Sequence, residues 1–395
     1  MPFYTLAIWL YQLLFKAISV FHRKAARRIL GLRVQRTQKI PNCDILVHCA
    51  SAGEYEQVNQ VIQQILRQNS KLKIALSFFS SSGIEWIKRK KIDLPCFYLP
   101  FDLPKRQKEF IDKLSPKAVI VTKNELWFNL FRVLQTRSIP IFIVAASFKR
   151  GHFATKIKPF KRVLKRVNHM YLIDEEDKVN LGPEFANTSI DGDPRIDQIL
   201  SKIEHSKIDI NSYRKLSKPI IIYASVHKED AAIVNQSTKD SSYDHLVVPH
   251  EVDKASIAYW VKTLDQNVTL DSTGGTWDGG VRIIDKVGIL AKLYAITDYA
   301  YVGGGFGKGI HNILEPASFK NIVFIGQNHE FFKEARDLVK LKAVHVVSKN
   351  DNIASKASLL GSTQKEKSVD ILRDYINEQK GSSKRIAKDI LSRIK

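Results

Sequence analysis

Short runs rich in β-branched and aromatic residues alternate with longer helical stretches along most of this chain. Such runs are typical of buried strands, and their alternation with helices predicts parallel sheets joined by helical crossovers. Ligands of these sheets bind beyond the carboxyl ends of the strands, so the residues that follow each run are the first site candidates. The predicted strands are residues 45–49, 73–77, 96–99, 118–121, 141–145, 170–173, 220–224, 246–249, 281–284, 299–302, 322–325 and 344–347.

One polar and charged segment, residues 201–218, interrupts the series of predicted strands. A chain of 395 residues with 44% hydrophobic content suits two domains of ordinary size. We therefore predict an α/β protein with two Rossmann-like, doubly wound domains, residues 41–210 and 211–395, which face a central cleft. Within the second domain, residues 365–395 carry spaced apolar side chains and are predicted to form one polar amphipathic helix.

The formal net charge of +22 implies a partner or surface of opposite sign, either nucleic acid or an anionic membrane. Eight Lys and Arg residues crowd the segment 149–166, within an interval from Leu126 to Ile173 that has no acidic residue. Both basic clusters lie in the first half of the chain, which favours a one-sided basic surface over an ordinary solvated face. The second cluster comprises Arg23, Lys24, Arg27, Arg28, Arg33, Arg36 and Lys39.

Residues 3–21 are largely apolar, and the second basic cluster follows them. No small-residue cleavage motif comes after this segment, so we do not expect a removed signal peptide. About 20 apolar residues suffice to span a bilayer, and the basic flank would then stay cytoplasmic. Trp9 and the neighbouring tyrosines instead suit a helix lying in the membrane interface. We predict that residues 1–40 anchor the chain in one of these two ways; a helix packed on the domain is the alternative.

Glu54 follows the first strong strand run, in the segment Cys-Ala-Ser-Ala-Gly-Glu. A carboxylate at the carboxyl end of a strand can accept a proton from a substrate hydroxyl as a general base. Ser51 followed three residues later by Glu54 also has the pattern of a capping box, so helix capping is the alternative role.

Two further segments end strand runs with charged side chains. In the first, Lys123 and Glu125 follow the run 118–121 and either pair with each other or contact an anionic sugar. In the second, Gly-Asp-Pro-Arg-Ile-Asp, Arg195 offers a planar fork that suits a carboxylate or phosphate. A surface turn is the alternative for Arg195.

Three consecutive glycines, residues 303–305, end another strand run and precede an expected helix that begins near Leu314. Glycines at such a junction let backbone N–H groups approach a phosphate, and the helix N-terminus adds partial positive charge. Glu315 offers an acceptor for sugar hydroxyls. A tight turn without a ligand is the alternative, because a glycine-rich loop alone is a weak signal.

Histidines at positions 227, 250 and 311 follow three of the strand runs. Imidazole is a common zinc ligand, but these residues contain no close-spaced ligand pair. We therefore predict no metal site.

Together these segments resemble the bacterial Kdo (3-deoxy-D-manno-octulosonic acid) transferase family over nearly the whole chain, beginning with the apolar N-terminus and its basic flank. The motifs that carry the resemblance keep their order and spacing. They are Ser51-Ala-Gly-Glu54, Pro100-Phe-Asp-Leu-Pro104, Glu125-Leu-Trp127-Phe-Asn129, Gly192-Asp-Pro-Arg195-Ile-Asp197, Ala224-Ser-Val-His227, Pro249-His250 and the stretch from Val287 to Pro316.

The resemblance implies a GT-B fold and transfer of Kdo from CMP-Kdo to lipid A precursor (lipid IVA), with inversion, in lipopolysaccharide biosynthesis. It implies no cofactor, and it implies action at the cytoplasmic face of the inner membrane. Glu54 would be the general base, and Lys123, Glu125 and Arg195 would stabilise the transition state. The implied CMP contacts are Pro249, His250, Val287, Gly288, Ile289, Asn312, Ile313, Leu314 and Glu315.

The sequence departs from the family pattern at three of these positions. The family usually has an acidic residue where Lys123 stands, an arginine where His250 stands and a glutamate where Ile289 stands. These departures fit either a divergent branch with the same reaction or an altered substrate preference. A GT-B transferase for another nucleotide sugar with an anionic lipid acceptor is therefore the first alternative. A nucleic-acid-binding protein without catalysis is the second, although the resemblance implies no nucleic-acid partner.

Overall fold

The computed structural model describes residues 2–123, 125–205, 217–275 and 277–394. The chain divides into two compact units, one comprising residues 1–198 and 379–395 and the other residues 199–378. The boundary predicted between residues 210 and 211 lies outside the described residues.

The first unit contains a parallel sheet of seven strands among the described residues, in the order β3-β2-β1-β4-β5-β6-β7. Strand β1 is buried along its whole length, with Ile45 opposite Ile74 on one neighbour and Ala118 on the other. Burial on both faces is what a parallel sheet covered by crossover helices requires. The strands are β1 Ile45–Cys49, β2 Ile74–Phe78, β3 Cys96–Tyr98, β4 Ala118–Thr122, β5 Ile141–Ala146, β6 His169–Leu172 and β7 Thr188–Ile190.

Helices cover both faces of this sheet. Alternate residues of β1 enter two separate hydrophobic clusters, Leu46 on one face and Ile45 and Val47 on the other. The helices are α1 Pro2–Ile18, α2 Arg23–Thr37, α3 Ala52–Gln68, α4 Ser81–Arg89, α5 Pro104–Leu114, α6 Phe128–Thr136, α7 Phe153–Lys156, α8 Lys158–Leu164, α9 Glu175–Leu181 and α10 Pro194–His205.

The second unit repeats this architecture with a parallel sheet in the order β10-β11-β9-β8-β12-β13-β14. Its strands are β8 Ile220–Val226, β9 Asp244–Pro249, β10 Val268–Leu270, β11 Val281–Ile283, β12 Tyr299–Val302, β13 Ile322–Ile325 and β14 Val344–Val346. Its helices are α11 Ala231–Ser237, α12 Lys254–Thr263, α13 Leu290–Leu293, α14 Leu314–Ser318, α15 Lys333–Lys340, α16 Ile353–Leu359 and α17 Ser362–Gln379, and α18 Ser382–Arg393 ends the chain.

The predicted α/β class is confirmed, and each of the twelve predicted runs forms a strand with ends shifted by a few residues at most. Two strands were missed, β7 and β10, which lie at sheet edges and are partly exposed. A short edge strand buries too little apolar surface to produce a recognisable hydrophobic run.

The single helix predicted for residues 365–395 is instead two helices, α17 and α18. The chain turns at Gly381, whose φ of 81° lies in the left-handed region that glycine adopts at low cost. The Asp197 carboxylate accepts the backbone N–H groups of Gly381 and Ser383, each at 2.7 Å, and so caps the start of α18. As a result α18 packs within the first unit, whereas the sequence had assigned it to the second domain.

The apolar N-terminal segment forms α1, and a bend of 116° separates it from α2. Among the described residues, no single helix is long and apolar enough to cross a bilayer. Only α1 and α2 taken together, as a bent pair, have that length and composition.

Arg28, predicted to belong to the basic surface, is buried. Its guanidinium donates to the carbonyl oxygens of Phe79 and Leu99 and lies 4.0 Å from the Phe79 ring centre.

Candidate active site

The chain order around β1 places a crevice at the carboxyl edge of the first sheet. From β1 the chain proceeds to β2 and β3 on one side, and it returns to β4 on the other side. This reversal is the topological switch point at which doubly wound sheets bind ligands. Glu54 follows β1, and Lys123 and Glu125 follow β4, so the fold brings three of the predicted site residues to this crevice.

Glu54 stands in the first turn of α3, and its carboxylate accepts the backbone N–H of Ala50. Burial raises the pKa of Glu54 above its ordinary value, although the N–H groups of Ala50 and Ser51 and the charge of Lys123 oppose that effect. Glu54 therefore accepts a backbone N–H group just before α3, which is part of the capping role that the alternative interpretation predicted. It also remains a half-buried carboxylate with increased basicity, as a general base requires.

Glu125 lies on the loop between β4 and α6. Burial, followed by the negative charge of Glu54, raises the pKa of Glu125 to about 7. Two acidic groups that repel each other in a partly buried site cannot both ionise easily, so the pair titrates as a coupled unit. The site thus carries one carboxylate ready to accept a proton and a second one that retains its proton near neutral pH.

Lys123 supplies positive charge to the same crevice. Its backbone has a φ of 57°, an uncommon left-handed conformation for a non-glycine residue, and its side chain is exposed. The ammonium group lowers the pKa of Glu54, Glu125 and Asp193, which shows that all three carboxylates lie within its field.

Arg195 lies in the first turn of α10 and contacts Asp193. Its Nε and one terminal nitrogen each lie 2.6 Å from the same oxygen of the buried Asp193 carboxylate. Burial alone would raise the pKa of Asp193, but the guanidinium overrides it and holds that pKa below its ordinary value. The ion pair with Asp193 is compatible with the surface-turn interpretation of Arg195. About a third of the Arg195 side chain nevertheless remains exposed.

The buried His48, which the sequence did not indicate as a site residue, fixes the loop after β4. His48 accepts the indole N–H of Trp127 at 3.1 Å on Nε2, so its Nδ1 carries the proton and donates to Ser77 Oγ at 3.0 Å. Burial lowers the pKa of His48 to about 3, which keeps the ring neutral. Trp127 also stacks on Phe79, with ring centres 5.1 Å apart. These contacts hold in place the loop that carries Glu125. In the sequence, the only feature that could have indicated them is Trp127, two residues after Glu125 in the same motif.

Asp102, in the motif Pro100-Phe-Asp-Leu-Pro104, has a structural role. Its buried carboxylate accepts the backbone N–H groups of Asn129 and Leu130 and the hydroxyl of Tyr4, each at 2.8 Å. The Asn129 side chain donates to the Asp102 carbonyl oxygen at 2.6 Å. These bonds fix the start of α6 and attach α1 to the first unit.

The second sheet has its own switch point, between β8 and β12. His227 follows β8, His250 follows the neighbouring β9, and His311 follows β12. The three imidazoles cluster there, with one candidate ligand atom from each ring lying within 4.8 Å of the others. The sequence pointed to the same three histidines as strand-end residues, but their distance along the chain did not predict that they would meet.

The three glycines, residues 303–305, allow close backbone packing. A Cβ on Gly303 would lie 2.7 Å from both the Ser225 carbonyl oxygen and the Val226 Cα, and one on Gly305 would lie 2.6 Å from the backbone of Gly326. Gly304 has a φ of 90°. The tight-turn interpretation therefore accounts for these glycines.

The predicted CMP-contact residues lie at or beyond the carboxyl ends of β9, β11 and β12; β9 and β12 flank the central strand β8, and β11 is the other neighbour of β9. Ile313 and Leu314 are buried, whereas Val287 is 83% exposed. The Asn312 side chain accepts the backbone N–H of Leu314, the first residue of α14, at 3.0 Å. Glu315 is half-buried near Tyr294, and its charge contributes, after burial, to the raised pKa of that tyrosine.

Comparison with known proteins finds similar sequences and folds. Residues 21–198 match the family model described as 3-deoxy-D-manno-octulosonic-acid transferase. The 3-deoxy-D-manno-octulosonic acid transferase of Haemophilus influenzae is 29% identical over 369 residues, which cover 88% of this chain and 86% of that protein. The enzyme of the same name from Aquifex aeolicus is 26% identical over 84% of this chain and 91% of its own length.

Among solved structures, the UDP-GlcNAc 2-epimerase of Neisseria meningitidis superposes with a TM-score of 0.64 at 14% identity, covering 89% of this chain and all of that one. This likeness concerns the fold alone and agrees with the predicted GT-B class. The family match over residues 21–198 and the relatives at 26–29% identity show that the chain is similar to the Kdo transferases, which are glycosyltransferases.

Proposed function

We propose that this protein transfers Kdo from CMP-Kdo to a hydroxyl of lipid A precursor, with inversion at the anomeric carbon. The observation that carries this proposal is the pair Glu54 and Glu125 at the switch point of the first sheet, where Lys123 is also close. A sugar transfer to a hydroxyl needs a base for the acceptor proton and cations for the developing phosphate charge. Similarity to the Kdo transferases supports the choice of sugar.

In the proposed reaction the Glu54 carboxylate accepts the proton of the acceptor hydroxyl as that oxygen bonds to the anomeric carbon. The bond between the anomeric carbon and the CMP phosphate breaks, and its electron pair leaves with CMP. Glu125, protonated in part near neutral pH, holds the acceptor or the Kdo carboxylate by a hydrogen bond without adding a second full negative charge. Lys123 and Arg195 offset negative charge in the transition state. The donor is the proposed small-molecule partner, and the acid–base steps use no separate cofactor.

The donor would bind to the carboxyl edge of the second sheet, through the residues that follow β9, β11 and β12. Exposed groups such as His250 and the left-handed Gly288, with a φ of 92°, are accessible to a nucleotide. The proposed contacts are Pro249, His250, Val287, Gly288, Ile289, Asn312, Ile313, Leu314 and Glu315.

We further propose that the first unit binds the cytoplasmic face of the bacterial inner membrane. Helix α1 exposes Phe3, Leu6, Leu14 and Ile18, each more than half accessible to solvent. The basic segment 149–166 adjoins α1, because Phe160 of α8 contacts Tyr4 edge-on with ring centres 5.6 Å apart. An apolar helix beside exposed Lys and Arg side chains suits an interfacial position on anionic lipid, where the acceptor's own phosphates reside.

The test is to incubate the purified protein with CMP-Kdo and lipid A precursor and to measure the product mass. We expect a mass increase equal to one or more Kdo residues and release of CMP. Parallel reactions with UDP-sugars test the alternative donor class. Transfer from a UDP-sugar but not from CMP-Kdo would contradict the proposal, and so would nucleic-acid binding in a gel shift that persists when lipid A precursor is added as competitor.

A further inference from the structure

The cluster of His227, His250 and His311 has no role in the proposed acid–base chemistry. The Nε2 atoms of His227 and His311 lie 2.7 Å apart, and the ring of His250 lies 4.5 and 4.6 Å from the two other ring centres. One candidate ligand atom from each residue lies within 4.8 Å of the other two. Three imidazoles from three separate strand ends therefore converge on one point.

Backbone hydrogen bonds fix each of these histidines. The N–H of His227 donates to Asp230 Oδ2 at 2.8 Å, the N–H of His250 donates to the Val226 carbonyl oxygen at 3.0 Å, and the N–H of His311 donates to the Gly303 carbonyl oxygen at 3.2 Å. Asp230 is fully buried and also accepts the N–H of Gly304 at 3.0 Å and the Tyr301 hydroxyl at 2.6 Å. The ends of β8 and β12 are thereby held together, so the cluster is built into the framework and does not depend on mobile side chains alone.

Neutral imidazoles can approach this closely, whereas charged ones would repel. In the absence of a metal, the two Nε2 atoms at 2.7 Å must share one proton between a donor and an acceptor. Neutral nitrogen atoms that face one another in this way are also the form in which histidine binds metal ions.

We propose that His227, His250 and His311 form a binding site for a divalent transition-metal cation of the zinc type, with a fourth position open to water or to an anionic oxygen. Imidazole ligands suit zinc and its neighbours in the transition series. Two nitrogens at the Zn–N distance and tetrahedral angle lie about 3.3 Å apart. The cluster reaches this spacing if His227 and His311 separate slightly and His250 moves inward.

The surroundings fit an open cation site. A cleft of about 200 Å³ adjoins the cluster and is lined by His227 and His250 together with Glu229 and Glu251. Both carboxylates are exposed, and their negative charge can attract a cation to the cleft. A metal with three protein nitrogens and one exchangeable position binds an incoming phosphate or carboxylate directly. The cation would therefore give the second unit an anion-binding point, whichever nucleotide sugar it accepts.

Metal binding by the isolated protein tests this inference without donor, acceptor or turnover. The full chain, produced without a polyhistidine tag and stripped with EDTA that is then removed, is titrated with Co²⁺ and followed by visible absorption. We expect one Co²⁺ per chain with the strong ligand-field absorption of a tetrahedral site, and displacement by Zn²⁺. His250→Ala and His311→Ala should each weaken Co²⁺ binding at least about 100-fold, since loss of a ligand costs at least as much as loss of a group behind it.

His22→Asn is the matched control, because His22 is an exposed histidine at the start of α2 in the other unit and should leave Co²⁺ binding unchanged. His250→Arg separates a metal site from a plain anion site: it removes a ligand but keeps a cation, so it should lose Co²⁺ and still bind inorganic phosphate. Circular dichroism checks that each variant folds, and exposed His250 is the position most tolerant of change. Co²⁺ binding that survives in both His250 variants, or no saturable binding by the unmodified chain, would overturn the inference; neither result bears on Kdo transfer.

Discussion

At the scale of single residues, the site of the first unit depends on how Glu54 and Glu125 divide their protons. Burial raises the pKa of both groups, and the charge of Glu54 raises that of Glu125 further, to about 7. Backbone N–H groups and Lys123 act in the opposite direction on Glu54. The environment thus separates the two carboxylates, because Glu125 keeps its proton up to about pH 7, and this separation fits the proposed assignment of Glu54 as the base.

Replacement of Glu54 by Gln removes the proposed base but keeps the size of the side chain. We expect turnover to fall by at least about 10²-fold, the usual contribution of a general base, with little change in CMP binding. Steady-state transfer assays and CMP titrations measure the two effects. Glu56→Gln, two residues along α3, is the matched control and should retain activity. A folded Glu54→Gln variant with unchanged turnover would contradict the assignment.

The raised pKa of Glu125 predicts a pH dependence of stability. The folded chain holds this proton up to about pH 7, whereas the unfolded carboxyl releases it near its ordinary pKa of 4.5. The contribution of Glu125 to the free energy of unfolding is therefore fully present below about pH 4.5, and it is lost as the pH rises towards 7. Glu125→Gln should lessen this loss by about 1–2 kcal/mol after solvent screening.

Urea unfolding at a series of pH values, with the unmodified chain beside Glu125→Gln, measures the effect as a difference. The difference is needed because the buried Asp102 and Asp177, whose pKa values burial raises to about 6, titrate in the same range in both proteins. Parallel pH profiles for the two proteins would show that Glu125 does not titrate as stated.

At the scale of elements, α1 is attached to the first unit at one end and exposed along one side. Tyr4 contacts Phe128 and Phe160 and donates to Asp102, while Leu6 and Leu14 are 54% and 64% exposed. An apolar face held in a fixed orientation binds an interface with less loss of conformational entropy than a free helix.

The double variant Leu6→Glu/Leu14→Glu should remove most binding to vesicles that contain anionic lipid, because it places two charges where apolar side chains would enter the interface. Vesicle co-flotation measures the bound fraction, and transfer to a detergent-dispersed acceptor should remain. Leu359→Glu is the matched control, since Leu359 is 80% exposed but lies on α16 in the second unit. Equal flotation of the double variant and this control would contradict a membrane role for α1.

At the scale of the whole molecule, the last helix completes the core of the first unit. Ile386, Ala387 and Ile390 of α18 are fully buried in the same cluster as Val58 and Ile62 of α3. The segment that encodes this contact follows the entire second unit in sequence. The first unit therefore cannot complete its core until the second has been made.

Ile390→Ala should lower the stability of the first unit by about 2–5 kcal/mol, the usual cost of deleting buried methyl and methylene groups. Val369→Ala is the matched control, because Val369 of α17 packs against a core cluster of the second unit. Calorimetry of both variants should show that each lowers a different thermal transition. Loss of the same transition in both would contradict the assignment of α18 to the first unit.

The sequence by itself determined the α/β class, the positions of twelve strands and the motifs that carry Glu54 and Glu125, because buried strands and strand-end motifs leave a local pattern of hydrophobicity and charge. The tertiary structure alone decided which strand ends become neighbours. It thereby placed Glu54 beside Glu125, buried the Arg28 side chain of α2 against Phe79 and Leu99, placed α18 in the first unit and gathered His227, His250 and His311. These contacts depend on strand order and on residues far apart along the chain, which no local pattern of the sequence encodes.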